Sequence, residues 1–172
     1  MAYSSNKNAD HEAPVTGVVL AAQAVGDDEE DTLLIRQMAQ DAVEYCAGFS
    51  WCQSVKQAYF GGGLGGVFCV YLLSIVPSRD GIGQWIWVVR GDIPPAYLPL
   101  EDCDSPKAVF ETYLWGMGNW VELAKHGKAE SGEDGVPPVN LPATPENAAM
   151  LEKRLSMLRD LVAPFFAEQQ IQ

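Results

Sequence analysis

Val67-Phe68-Cys69-Val70-Tyr71-Leu72-Leu73-Ser74-Ile75-Val76 is a strand-length apolar run. Pro77-Ser78-Arg79-Asp80-Gly81-Ile82-Gly83 is a turn cluster, and Gln84-Trp85-Ile86-Trp87-Val88-Val89-Arg90 is a second run of aromatic and β-branched residues. Two such runs joined by a short turn pair most simply as an antiparallel hairpin, with the first strand buried. The second run stops at Gly91-Asp92 and is followed by Ile93-Pro94-Pro95. Each proline fixes φ and lacks an N–H, so this is a specified corner. Beyond it Ala96-Tyr97-Leu98, fenced by Pro95 and Pro99, fits only a short edge strand. The reading gives a sheet of about three strands.

Outward from the hairpin the spacing changes to that of helices. Leu34, Ile35, Met38, Ala42 and Tyr45 predict an amphipathic helix over 32–46, with the acidic run 27–31 at the positive end of its dipole. A short segment around Trp51 to Phe60 reads as helical and runs into the glycine loop 61–66. Ser105-Pro106 and Thr144-Pro145 each place a capping hydroxyl before a proline, which starts helices over 106–126 and 145–163. The expected fold is α+β: a small antiparallel sheet of about three strands covered by about three main helices. Residues 1–14 read as a polar, disordered tail and 15–172 as a single domain.

The chain has 172 residues, 48% of them hydrophobic, and a formal net charge of -12. The charge is uneven, with -7 over residues 1–46, +1 over 47–100 and -6 over 101–172. Such a balance excludes a nucleic-acid backbone as the main partner, because phosphate binding needs clustered Lys and Arg. Basic partners fit it. Cys46, Cys52, Cys69 and Cys103 have no C-x-x-C spacing, so they read as buried free thiols of a reducing, cytoplasmic compartment rather than a metal or redox motif. Lys7 stands against Asp10 and Glu12 where a secretion signal needs a positive n-region. Gln57 to Ser78 is uncharged and contains Gly61-x-x-x-Gly65 and Gly62-x-x-x-Gly66, so on length alone it qualifies as a single membrane span over 57–78. The glycines crowd its first half and the rest is strand-like, which favours a soluble chain without a membrane partner.

Motifs with catalytic meaning are scarce. Gly61, Gly63 and Gly66 spell G-x-G-x-x-G, but the dinucleotide fingerprint needs a helix after it and here a strand pattern follows. A turn or a close backbone crossing is the better reading, and no cofactor is expected. Only His11 and His126 are present, the first in the tail and the second at a helix C-terminus, so no histidine metal site or catalytic triad is expected. Cys103 lies between Asp102 and Asp104, carboxylates that raise a thiol pKa. Glu101, Asp102 and Asp104 lack calcium-loop spacing and precede a helix start.

Asp92 is harder to explain away. A turn aspartate usually accepts from the N–H two residues on, but that residue is Pro94, and Pro95 has no N–H either. Its carboxylate therefore looks to a tertiary partner, water or a ligand, and a structural buttress to a buried donor is expected ahead of a functional site. Trp87, Arg90, Asp92 and Tyr97 are the candidate binding residues of the corner.

The pattern Trp87-x-Val89-x-Gly91-Asp92-Ile93-Pro94-x-x-Tyr97, followed by Ser105-Pro106-x-Ala108 and a helix with Tyr113, Met117 and Trp120, resembles an uncharacterised bacterial domain family with no established activity. The resemblance covers about residues 67–125. It implies a soluble α+β domain of bacterial cytoplasmic origin and assigns no catalytic residue. With the acidic ends and the surplus of Trp and Tyr, the expected function is non-catalytic protein binding, for instance an acidic immunity-type inhibitor of a basic toxin. The alternative is a small hydrolase-like enzyme using Asp92 with neighbouring carboxylates as acid and base, which needs two such groups in one cleft.

Overall fold

The computed structural model describes residues 12–128 and 135–167. Five antiparallel strands lie in sequence order: β1 (Val19–Leu20), β2 (Cys52–Leu64), β3 (Phe68–Pro77), β4 (Trp85–Gly91) and β5 (Ala96–Pro99). Three sizeable helices, α1 (Glu29–Ala47), α2 (Pro106–Ala124) and α3 (Pro145–Leu161), cover them, with a short α4 (Ala163–Ala167) after the last. The expected α+β class and the three helices are present, and the expected count of three strands is corrected to five.

The missing strands have a physical explanation. The segment read as helical from Trp51 to Phe60 is most of β2, whose pairing with β3 shifts register between Cys52 and Ser54, Val55 and Gln57, and Phe60 and Gly62. Each shift resets which face a side chain takes, so the period-two signature of a strand is scrambled in the sequence. Glycine then hides the rest of β2. A Cβ on Gly63 would stand 2.1 Å from the Phe68 carbonyl oxygen, so the strand passes its neighbour too closely for any side chain. The close backbone crossing expected of the glycine run is therefore built into the sheet. β1 is two residues long and pairs only with Tyr59 and Phe60, too short to leave a pattern.

β3 is central and is covered on both faces. Phe68, Val70 and Leu72 point to α2, α3 and α4, packing with Trp87, Val109 and Leu155. Cys69, Tyr71, Leu73 and Ile75 point to α1, packing with Ile35, Ala42 and Cys46. A strand buried on both sides loses polar alternation, which is why it reads as one apolar run.

The helix starts are set by side-chain caps. Asp28 accepts from the Asp31 N–H at 2.8 Å, Ser105 from the Ala108 N–H at 3.1 Å and Thr144 from the Asn147 N–H at 3.2 Å. α1 begins at Glu29, three residues before the expected start, because the acidic run is itself its first turn. Asp31 within that run is 7% exposed. Its carboxylate accepts from the Gly65 N–H at 2.6 Å and the Asp27 N–H at 2.8 Å, tying α1 to the β2–β3 turn. One member of the run is therefore a structural clamp as well as a dipole partner.

The stretch 57–78 forms strand and turn, and among the described residues no helix is long and apolar enough to cross a membrane. The tail assigned to 1–14 lies, over 1–11, outside the described residues, as does His11. Ala13 packs against the core.

Candidate functional site

The corner after β4 is held by backbone. A Cβ on Gly91 would stand 2.1 Å from the Val67 carbonyl oxygen, and the Asp92 N–H donates to that same oxygen at 3.1 Å. Tyr113 of α2 donates its hydroxyl to the Pro94 carbonyl at 2.7 Å. These bonds fix the path into β5 and set Tyr97 opposite Val88, on the α1 face of the sheet.

The four candidate residues of the corner separate into three surroundings. Trp87 is fully buried on the opposite face and donates its indole N–H to the Cys103 carbonyl at 2.9 Å. Arg90 lies with its guanidinium carbon 5.4 Å from the centre of the Tyr45 ring, a cation–π contact, and its buried Nε has no hydrogen-bond partner among the described residues. Asp92 is on the surface, its side chain 71% exposed, with Arg154 of α3 at 3.7 Å. It shares a hollow of about 280 Å³ with Asp41 and Arg90. Tyr97 belongs to an aromatic group, its ring centroid 4.9 Å from that of Phe49 and 5.1 Å from that of Trp51. The structure links Arg90 to Tyr97 through Tyr45, sets Asp92 beside Arg90 at the surface and away from Tyr97, and keeps Trp87 on the other face.

Tyr97 is a ridge between two surface hollows. On one side Tyr45, Pro95, Trp115, Gly116 and Pro137 wall a groove of about 450 Å³. On the other Trp51, Ile82, Trp85, Pro99 and Leu100 wall one of about 640 Å³. Asp102 lines the first and Glu101 the second, and among the described residues neither lining contains Lys, Arg or His. Trp115 is 63% exposed, more than any other aromatic ring that lines them. Phe49 and Trp51 stack at 5.1 Å with ring planes 15° apart, and Tyr45 meets Phe49 edge-on. Burial, the nearby Tyr97 and Cys46 raise the Tyr45 hydroxyl pKa while Arg90 lowers it, the net being a rise, so Tyr45 is a neutral phenol at neutral pH.

Sequence reading reached Tyr97 but missed Phe49, Trp51 and Trp115. Trp115 carried a usable signal: it lies off the apolar face that α2 presents through Tyr113, Met117 and Trp120, and a tryptophan on a helix's outer side lacks a core reason to be there. Phe49 and Trp51 carried none, since their grouping depends on the turn after α1 meeting β5.

The thiols are buried and free. Burial, with Cys52 adding to it, pushes the Cys46 thiol up to about 12, and burial does the same for Cys69. Burial also raises the Cys103 thiol, opposed by a hydrogen bond with Thr112 and reinforced by Asp102 and Asp104. Among the described residues no three His, Cys, Asp or Glu side chains are grouped to hold a metal ion. His126 is exposed just past α2, and Glu101, Asp102 and Asp104 are exposed around the start of that helix.

Together these features define a five-stranded α+β domain with an aromatic, acid-rimmed surface beside its last strand. Comparisons with protein-family models, with curated proteins and with solved structures find no match to the chain.

Proposed function

We propose that this chain is a non-catalytic protein-binding module whose β5 face receives a basic partner. The observation that carries the reading is the Tyr97 ridge, flanked by two aromatic hollows that each hold a carboxylate and, among the described residues, no cation. Tyr and Trp supply large contact area at low entropy cost, and carboxylates at the rim steer a positively charged surface toward them. The net charge of -12 extends the same attraction over the molecule. An immunity-type inhibitor of a basic toxin is one concrete form of such a module. Four free buried thiols suit work in a bacterial cytoplasm.

A second reading, a small hydrolase-like enzyme, draws on Asp92, Asp41 and Arg90 sharing one hollow. Acid–base chemistry needs an enclosed pair of groups whose surroundings push their pKa values apart. An aspartate side chain 71% exposed is poorly placed for that, and the binding reading is the better supported.

The test is association kinetics with a partner isolated from the native organism. Its on-rate should fall between low and physiological salt, and Trp115→Ala should weaken the complex. An on-rate indifferent to salt removes the basic-partner argument. A complex unaffected by Trp115→Ala removes the β5 face.

A further inference from the structure

The two hollows differ from a flat acidic patch in shape, and the shape points to an occupant. Both are lined by Tyr97, and each has rings of Trp, Tyr and Pro among its walls. An extended polyproline II segment repeats every three residues and rises about 3.1 Å per residue, so it presents prolines at successive turns about 9 Å apart. Such a ligand is stiff before it binds and its prolines bring no N–H to satisfy, so it suits aromatic walls with few polar partners.

The chain's own sequence supplies a view of this packing. Val136-Pro137-Pro138 runs along one wall of the first groove, with Pro137 Cδ 3.5 Å from where a Cβ on Gly116 would stand. The segment is anchored by Asn119, whose side-chain N–H donates to the Gly135 carbonyl at 2.9 Å. The outer side of α2 thus already packs a two-proline loop segment beside Trp115. Strand addition is the competing mode on an edge strand, but β5 is four residues long and ends in Pro99, which limits pairing.

We infer that the β5 face binds a proline-rich segment of another protein in the polyproline II conformation, its prolines filling the hollows on either side of Tyr97 and a Lys or Arg meeting Asp102 or Glu101. This rests on the reading of that face as the binding surface. The charge term is specific: among the described residues each lining holds a carboxylate and no Lys, Arg or His.

The test titrates the full chain with three synthetic peptides and follows tryptophan fluorescence. The first is a basic proline-rich peptide about three polyproline turns long, the second has alanine for every proline, and the third has glutamate for every arginine. The expected result is saturable binding of the first and affinities at least about tenfold weaker for the other two. Tyr97→Ala and Trp115→Ala should each weaken the first peptide by at least about tenfold with an unchanged circular dichroism spectrum. Trp115, being exposed, serves where Tyr97→Ala disturbs the fold. No saturable binding of the first peptide overturns the inference, as does equal binding of the acidic one. Equal binding of the alanine peptide, lost in Trp115→Ala, overturns the polyproline mode and leaves the face as a basic-protein surface. Binding of the first peptide that is indifferent to Trp115→Ala overturns both.

Discussion

Phe68, Phe110, Tyr113 and Phe166 pack with ring centroids 4.9 to 6.3 Å apart, and each is no more than 4% exposed. Tyr45, Phe49, Trp51 and Tyr97 pack at 4.9 to 5.1 Å, yet all are partly open to solvent and Tyr97 is 38% exposed. The ring geometry is alike and the setting is not. The inner group is sealed between the sheet and α2, α3 and α4, where each ring removes apolar area from water and holds the fold. The outer group lies where α1, β2 and β5 meet at the edge, with part of its area still unburied. Close aromatic packing therefore does not separate a core from a binding surface, whereas the water left on the rings does.

Substitution should separate the groups. Phe68→Ala removes a fully buried ring from the inner group and should lower unfolding free energy by about 3–5 kcal/mol in urea titrations. A smaller loss would mean that the inner group is looser than its burial implies.

The α1 side of the sheet can be probed by pH. Burial holds the Cys46 and Cys69 thiols near 12 against an ordinary 9.0, so the folded chain keeps protons that the unfolded chain releases. Stability from this source is complete below about pH 9 and should fall as pH rises from there toward about 12. Chemical denaturation across that range checks it, and Cys69→Ala should flatten the fall. A profile that stays level to pH 12 would mean that the thiols are more open to solvent than their burial implies.

Asp31→Ala should cost about 1–3 kcal/mol, because the Gly65 and Asp27 N–H groups lose their acceptor. Asp92→Ala, which breaks only an exposed ion pair to Arg154, should change stability by about 0–1 kcal/mol. The two aspartates thus extend the comparison to charge. A melting temperature lowered more by Asp92→Ala than by Asp31→Ala would reverse it.

How much of this was legible in the sequence depended on how local the determinant is. The hairpin of β3 and β4 was readable because its apolar runs are uninterrupted, and α2 and α3 because Ser105-Pro106 and Thr144-Pro145 start them by local chemistry. β2 was not readable, since three register shifts scramble its alternation and glycine takes the place of its side chains where β3 comes close. Asp31 and Asp92 show the same limit in the site. Asp31 sits in an acidic run that the helix dipole already explains, and only the arrival of Gly65, 34 residues on, marks it as a clamp. Asp92 stood out for its missing local donors, and the structure gives it a surface ion pair rather than a buried partner. Tyr97 was found as part of the corner, but its ridge exists only once Phe49 and Trp51 of the turn after α1 and Trp115 of α2 are brought beside it.

The separation of fold from binding surface is tested most directly by Trp115→Ala, assayed for unfolding free energy and for affinity toward the basic proline-rich peptide on the same preparation. The account predicts a stability change of less than about 1 kcal/mol with affinity reduced at least about tenfold. A variant that loses several kcal/mol of stability, or one that binds the peptide as tightly as the parent chain, would contradict it.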